Sequence, residues 1–380
     1  MTTAPRIEAA AAQCDGPSPE SPSAPASTSR VVVVILMYRG AEQAIECVSS
    51  VLASRHGDFR IVLLDNSSPD GALDRVRQWA RGEMNAMPIG ATPVGAEHAT
   101  CGPIDHGERA ANDAPDEIAS LPLLTLVPTG ANLGYAGGNN VALKWLRHCR
   151  DWDYAWILNP DTVVDPAALP ALVRRSSADP ALGPVGARVC FYDRPNTVQQ
   201  WGGGRFCRWR ASARLLGSER AADELVDERS VECALDYVTG ASLFFSRDFL
   251  DRTGLMDERY FLYYEEIDWC RSGAMPLGYA HDAVVYHRLG GSIGSSMTHR
   301  KASPLSIRCM YRSRLLFTRK FFPWRLPTVY LGTYLDIARM IQRGAWRNAW
   351  LVFKTINGLE RITAENLATA KPVEPVVSRP

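Results

Sequence analysis

The side chains best placed to do chemistry in this chain sit where apolar runs end. Asn159-Pro160-Asp161 follows the apolar run Tyr154-Ala155-Trp156-Ile157-Leu158, and the proline stops strand and helix alike. A carboxylate at the end of a buried strand lies where open α/β sheets bind ligands. Oxygen donors suit a hard divalent cation such as Mg²⁺ or Mn²⁺, which brings a diphosphate with it. The plain alternative is an Asp that only shapes a turn. Farther on, Phe261-Leu262-Tyr263-Tyr264-Glu265-Glu266-Ile267-Asp268-Trp269-Cys270-Arg271 packs three acids into an aromatic helical start. Acids there can partner the helix dipole. An aromatic pocket can equally raise a carboxylate pKa toward the value a general base needs. Val284-Val285-Tyr286-His287 ends a strand in a histidine, suited to a divalent cation or a diphosphate oxygen when it is not structural.

Three further sites fall at predicted strand ends. Tyr38 follows the run Val31–Met37. Asp65-Asn66-Ser67-Ser68 follows Arg60–Leu64; Asp65 can accept hydrogen bonds from a nucleobase imide or a ribose hydroxyl, or cap the next helix. Asn132-Leu133-Gly134-Tyr135-Ala136-Gly137-Gly138-Asn139-Asn140 is glycine-rich. Gly134 and Gly138 allow close backbone approach, Asn132 and Asn139 offer polar contacts, and the following helix start presents free N–H groups to an anion. The glycine spacing is not that of a dinucleotide fingerprint.

The elements that must hold these residues alternate. Strands are predicted at 31–37, 60–65, 123–127 and before Asn159. Helices are predicted at about 41–54, after Pro69 at its first position, and at about 136–149. Such alternation implies an α/β fold with a mostly parallel sheet covered on both faces. Residues 82–122 break the rhythm and read as a mobile surface insertion. Residues about 191–235, with Trp201-Gly202-Gly203-Gly204-Arg205, suggest a hairpin that lines a site.

Net charge is +1 over 380 residues, which gives no general pull toward nucleic acid. Nine cysteines lie scattered without a C-x-x-C pair, as in a cytoplasmic protein with reduced thiols. Residues 1–29 read as a disordered leader without a secretory signal, and no run is long and apolar enough to span a membrane. Between Arg308 and Lys354 stand ten Lys/Arg, ten aromatics and the single acid Asp336. That mixture suits an anionic membrane interface, or two helices packed on the preceding domain.

Taken in order, these motifs resemble the family 2 glycosyltransferases of GT-A fold, most closely their rhamnosyltransferase-like bacterial branch. The motifs are Val31–Met37 with Tyr38, Leu64–Ser68, Asn132–Asn140, Leu158–Thr162, Asp236-Tyr237-Val238-Thr239-Gly240-Ala241, Phe261–Arg271 and His287. The resemblance covers about 31–290. It implies a Rossmann-like GT-A domain over 30–300, with a basic, aromatic helical region at 301–370. It implies an inverting transfer of a sugar, rhamnose from dTDP-rhamnose, to a saccharide or lipid-linked acceptor in cell-surface polysaccharide synthesis. The enzyme would lie in the cytoplasm, with peripheral contact at the inner face of the cell membrane. Asp65 would contact the donor base with Tyr38 and the Asn132–Asn139 loop nearby. Asp161 and His287 would hold Mg²⁺ or Mn²⁺ at the diphosphate. Gly240-Ala241 would lie near the sugar and acceptor, and the acidic cluster would supply the base. The family has Glu-Asp where this chain has Glu265-Glu266, so Glu266, Glu265 and Asp268 all remain candidates for the proton acceptor. The rival readings are a nucleotidyltransferase that makes the sugar nucleotide and a non-catalytic sugar-nucleotide-binding subunit.

Overall fold

The computed structural model describes residues 29–84, 103–288 and 303–359; the expected leader at 1–29 lies outside them except for its last residue. Every residue of the β-branched run Val31–Met37, β1, is buried, as a strand covered on both faces requires. After it come α1 (Ala41–Leu52), β2 (Phe59–Asp65), α2 (Ala72–Ala80), β3 (His106–Glu108), β4 (Leu124–Pro128), α3 (Gly134–His148) and β5 (Tyr154–Leu158). The second half holds β6 (Thr162–Val164), α4 (Ala168–Ala178), β7 (Val185–Phe191), β8 (Val198–Trp201), β9 (Gly203–Cys207), β10 (Ser212–Leu215) and α5 (Glu228–Ala234). Then follow β11 (Tyr237–Val238), β12 (Ser242–Ser246), α6 (Arg247–Thr253), α7 (Glu265–Gly273) and β13 (Gly278–His287). Three helices complete the described chain: α8 (Pro304–Phe321), α9 (Leu326–Gln342) and α10 (Trp346–Ile356).

The main sheet runs β3-β4-β2-β1-β5-β12-β7-β13-β6, with β8 paired to β7. From β3 to β5 all neighbours are parallel, whereas β12 and β6 run against their neighbours. This is the mostly parallel, helix-covered α/β sheet expected, with C-terminal helices added. The chain winds outward from β1 through β2 to β4, then returns to the other side of β1 with β5. Ligands of open α/β sheets bind at such a reversal, beyond the carboxyl ends of the strands. Tyr38 and Asn159-Pro160-Asp161 follow directly from those ends.

Three local expectations need correcting. Helix α2 starts at Ala72, after Gly71 at φ 72°, so Pro69 belongs to the preceding turn. The segment read as an irregular insertion supplies an edge strand, β3, paired in parallel with β4, and buries Ile118 and Leu121. Only its middle, 85–102, lies outside the described residues. The stretch at 191–235 does form a hairpin, β9-β10, which joins β11 in a separate three-stranded sheet while β8 pairs with β7. None of its residues, however, lines the cavity at the ends of β1, β2 and β5.

The glycine run is what lets that small sheet close. A Cβ on Gly203 would stand 2.0 Å from the Tyr237 carbonyl oxygen, and backbone cannot swing aside as a side-chain tip can. Gly203→Ala is therefore expected to destabilise the protein by roughly 1–3 kcal/mol through overpacking. A urea midpoint equal to the parent's would show that β9 and β11 do not approach this closely.

Candidate active site

At the reversal of strand order lies a cavity of about 250 Å³, opened among the ends of β1, β2 and β5 and the loops facing them. It gathers Tyr38, Asn132, Gly134, Asp161, Glu265, Glu266 and His287 from the sequence candidates, together with Gly240 and Ala241. Residues as far apart in sequence as Tyr38 and His287 thus meet around one cavity, because the strand-end motifs share one edge of the sheet and the start of α7 faces them.

On one side, Asp161 Oδ1 faces His287 Nε2 at 3.3 Å, and both side chains are nearly buried. His287 Nδ1 is 2.8 Å from Gln199 Oε1, an oxygen that can only accept, so Nδ1 carries the proton of that bond. Nε2 then meets Asp161 Oδ1, which is buried and has no hydrogen-bond partner. A proton on Nε2 or a bound cation satisfies the facing pair. The donor set of one carboxylate and one imidazole, its ring fixed from behind by an amide, fits a divalent metal. Among the described residues, no three His, Cys, Asp or Glu side chains could enclose a metal. Asp161 and His287 would therefore be the two side chains to hold a cation here.

On the opposite side, α7 opens with Glu265 and Glu266. The two residues before it, Tyr263 and Tyr264, both take left-handed backbone at φ 68° and 75°. Bulky side chains adopt this conformation at a cost of about 1–2 kcal/mol each, and persist in it where surroundings over-determine them. The Tyr264 hydroxyl donates to the Ala211 carbonyl, and Tyr263 packs beside Leu305. The twist carries both carboxylates into the cavity. Burial drives Glu266 up to about 7. Burial first, and then the neighbouring Glu266 charge, push Glu265 well above the ordinary carboxylate range. No cation pairs with either among the described residues. A buried acid beside an ionised one stays protonated, so the pair divides into a neutral Glu265 and a Glu266 that titrates near neutrality.

Two side chains missed as functional in the sequence tie these walls together. Asn66 Nδ2 donates to Asn132 Oδ1 at 3.0 Å and to the Gly134 carbonyl at 3.1 Å, while Asn66 Oδ1 accepts from the Leu133 N–H. Tyr135 donates its hydroxyl to the Gly240 carbonyl at 2.6 Å, and its N–H to the Phe261 carbonyl at 2.8 Å. Thr239 is held by Gln200 at 2.9 Å. The only sequence signal for these was their place inside the glycine-rich and Thr-Gly-Ala motifs; Gln199 and Gln200 carried none.

Other candidates stand away from the cavity wall. Helix α3 begins at Gly134, so Gly138 and Asn139 lie inside it. Gly138 makes room for Leu36, whose Cδ1 would be 2.5 Å from an added Cβ, and Asn139 bonds the Tyr135 carbonyl. Neither forms an anion loop. Asp65 accepts from the Ser68 N–H at 3.2 Å and is mostly shielded; its neighbour Asn66 is the one that lines the cavity. Asp268 is the third correction. Two residues beyond Glu266, it turns about 200° around the helix and is buried against Lys320 Nζ at 2.7 Å, Ser272 at 3.0 Å and the Tyr260 hydroxyl at 2.9 Å. A carboxylate neutralised by an ammonium and saturated with donors is a poor proton acceptor.

Lys320 belongs to α8, which reaches far into this region. Arg312 donates to the Arg259 carbonyl, Ser313 to the Leu262 carbonyl, and Leu305 enters the cavity wall. So α8 is a packing helix, and this part of the basic tail is spent internally rather than on a membrane. Lys320→Met strands a buried carboxylate and is expected to lower stability by about 1–3 kcal/mol. Equal denaturant midpoints for variant and parent would show that the ion pair does not fasten α8 to α7.

No family profile matches the chain. In sequence it is 25% identical over 271 residues to the N-acetylglucosaminyl-diphospho-decaprenol L-rhamnosyltransferase of Mycobacterium tuberculosis strain CDC 1551 / Oshkosh, spanning 62% of this chain and 82% of that one. The counterpart in strain H37Rv matches to the same extent. Among solved structures, the mannosyltransferase PcManGT from Pyrobaculum calidifontis in complex with GDP-Man and Mn²⁺ overlaps 91% of this chain and 85% of its own, at 15% identity and a TM-score of 0.46. TarS of S. aureus overlaps 76% of this chain and 39% of its own, at 11% identity and a TM-score of 0.43. The sequence likeness bears out the resemblance to the rhamnosyltransferase-like branch of the family 2 glycosyltransferases.

Proposed function

We propose that this chain is an inverting glycosyltransferase that moves a sugar from a nucleotide-diphospho-sugar to a saccharide or lipid-linked acceptor. One observation carries the reading. The orphaned Asp161 carboxylate with His287, and the adjacent acids Glu265, buried, and Glu266, half-buried, face a single cavity at the reversal of strand order. A donor diphosphate suits the first pair and an acceptor hydroxyl the second. By likeness to the mycobacterial relative, named as an N-acetylglucosaminyl-diphospho-decaprenol L-rhamnosyltransferase, the sugar is rhamnose and the acceptor a lipid-linked saccharide; dTDP-rhamnose as the donor is what the family resemblance implies. The proposed catalytic domain is 30–300 and the appended helical region 301–370. The described residues hold α8 to α10 and leave 289–302 and 360–370 outside. The protein is placed peripherally at the inner membrane face.

In this reading Tyr38, Asn66, Asn132 and Gly134 hold the nucleoside side of the donor, with Asp65 behind them at the end of β2. Asp161 and His287 would hold Mg²⁺ or Mn²⁺, which when bound offsets charge on the diphosphate. Glu266 takes the acceptor hydroxyl proton as that oxygen bonds to the anomeric carbon. The bond from the anomeric carbon to the diphosphate oxygen breaks with its electron pair, and configuration inverts. Glu265 stays protonated and donates a hydrogen bond within the cavity. A nucleotidyltransferase is not favoured, since Tyr38-Arg39-Gly40 after β1 is no glycine-rich phosphate loop. A binding subunit would hydrolyse no donor in the absence of acceptor.

Asp161→Ala is expected to abolish metal-dependent binding of a nucleoside diphosphate, measured by calorimetry with and without Mn²⁺. Unchanged affinity and metal dependence would remove Asp161 from the donor site.

Glu266→Gln is expected to lower turnover by about 10²-fold or more with donor affinity kept, as for loss of a general base. Glu265→Gln, which mimics the protonated state, should cost far less. In the parent, kcat/KM should rise with pH through about 7, where Glu266 gives up its proton. A flat profile across that range, or an active Glu266→Gln, would reassign the base.

A further inference from the structure

We infer that the outward faces of α9 and α10 form a docking surface for an anionic lipid bilayer. The α9 face away from the protein is apolar: Leu331 is 62% exposed and Leu335 49%, while Val329, Thr333, Ile337 and Met340 turn inward. On α10, Trp346 and Trp350 are 63% and 58% exposed, one turn apart on the same side. Tyr334, at the edge of the α9 stripe, hydrogen-bonds Asn357, the exposed residue that caps the carboxyl end of α10. The two faces therefore adjoin. A helix that turns its apolar stripe outward is the inverse of an ordinary surface helix, and a contiguous exposed apolar patch of this kind marks an interaction site.

Charge selects the occupant. Of the ten cations between Arg308 and Lys354, Arg314 and Arg339 pair with Asp336, and Lys320 pairs with Asp268. Arg343 and Arg347 stand exposed at the turn between α9 and α10, bordering Trp346. A second copy of the chain, paired through the same face, would bring two more arginines to the seam. The single acid between Arg308 and Lys354, Asp336, already pairs with Arg314 and Arg339, so like charge would accumulate there and oppose pairing. A bilayer with anionic headgroups accepts both components, the aromatic side chains in its interfacial layer and the guanidinium groups at the phosphates.

Position supplies the use. Arg319 meets Tyr330 and Arg314 meets Asp336, so α9 runs antiparallel to α8. Its carboxyl end returns to the end of α8 that places Leu305 in the cavity wall. The bilayer face thus reaches the cavity side of the molecule, where a lipid-linked acceptor would present its saccharide. That last step rests on the proposed function; the docking surface does not.

The test is co-sedimentation of the full chain with vesicles of phosphatidylcholine alone or mixed with phosphatidylglycerol, in the absence of donor and acceptor. The parent is expected to bind the mixed vesicles, and to lose most of that binding as salt shortens the Debye length below about 8 Å. The double variant Leu331→Ser/Trp350→Ser should bind about tenfold less or weaker still, since it removes buried apolar area. Arg343→Ser/Arg347→Ser should lose the preference for anionic lipid. Both should keep the parent's thermal midpoint and donor hydrolysis, which shows that they fold. No binding by the parent at low salt, or equal binding by Leu331→Ser/Trp350→Ser, overturns the inference. A concentration-dependent dimer that the same variant abolishes would assign the face to a second copy instead. Vesicle binding without donor turnover would count against the transferase and leave the docking surface standing.

Discussion

Two adjacent carboxylates, Glu265 buried and Glu266 half-buried beside it, with no cation paired to either among the described residues, are the constraint around which this molecule is arranged. Ionised together they would repel in a medium too poor in water to screen them, so one keeps its proton and the other titrates near neutrality. Left to relax, the chain would turn them to solvent. It is prevented by the left-handed turn at Tyr263-Tyr264, by the Tyr264 hydroxyl anchored on Ala211, and by α8 bonded to both ends of the loop that leads into α7. The destabilising acids are thus supported by elements with no chemistry of their own, a common cost of a preorganised site.

The same logic explains the hydrogen bonds at the strand ends. Loops that carry functional groups gain precision when rigid elements fix them. Asn66 locks the β2 end to the loop before α3, and Tyr135 locks that loop to the Gly240 and Phe261 segments. Gln199 orients His287 from β8. Each bond is worth only about 1 kcal/mol, yet together they set the distance across the cavity between the Asp161 side and the Glu266 side.

The helical tail does two jobs with one composition. Its first helix is consumed in packing: Phe317, with Phe322 at its end, joins the main hydrophobic core, Lys320 neutralises the buried Asp268, and Arg314 pairs with the half-buried Asp336. Its other two helices bury one side against α8 and leave tryptophan, leucine and arginine outside. Basic and aromatic content alone cannot separate these uses, because a cation stacked inside a protein and one facing lipid have the same sequence signature.

What the sequence determined by itself was the order of apolar runs and the residue type at each run's end. The unbroken β-branched stretch Val31–Met37 could only be a strand covered on both faces, and Pro160 could only stop β5 before Asp161. Those local rules brought Tyr38, Asp161, Glu265, Glu266 and His287 into view, because hydrophobic periodicity and turn chemistry act within a few residues. Tertiary structure decided the rest. It separated Glu266 from Asp268, two positions apart, by turning one into the cavity and the other onto Lys320. It turned Gly138 and Asn139, already expected in a helix, away from the cavity wall and promoted Asn66 and Tyr135 to the joints of the site. It also made a sheet edge of residues read as a loose insertion. Which way a side chain points, and which distant partner meets it, depends on packing between elements far apart in the chain, and no local pattern encodes that.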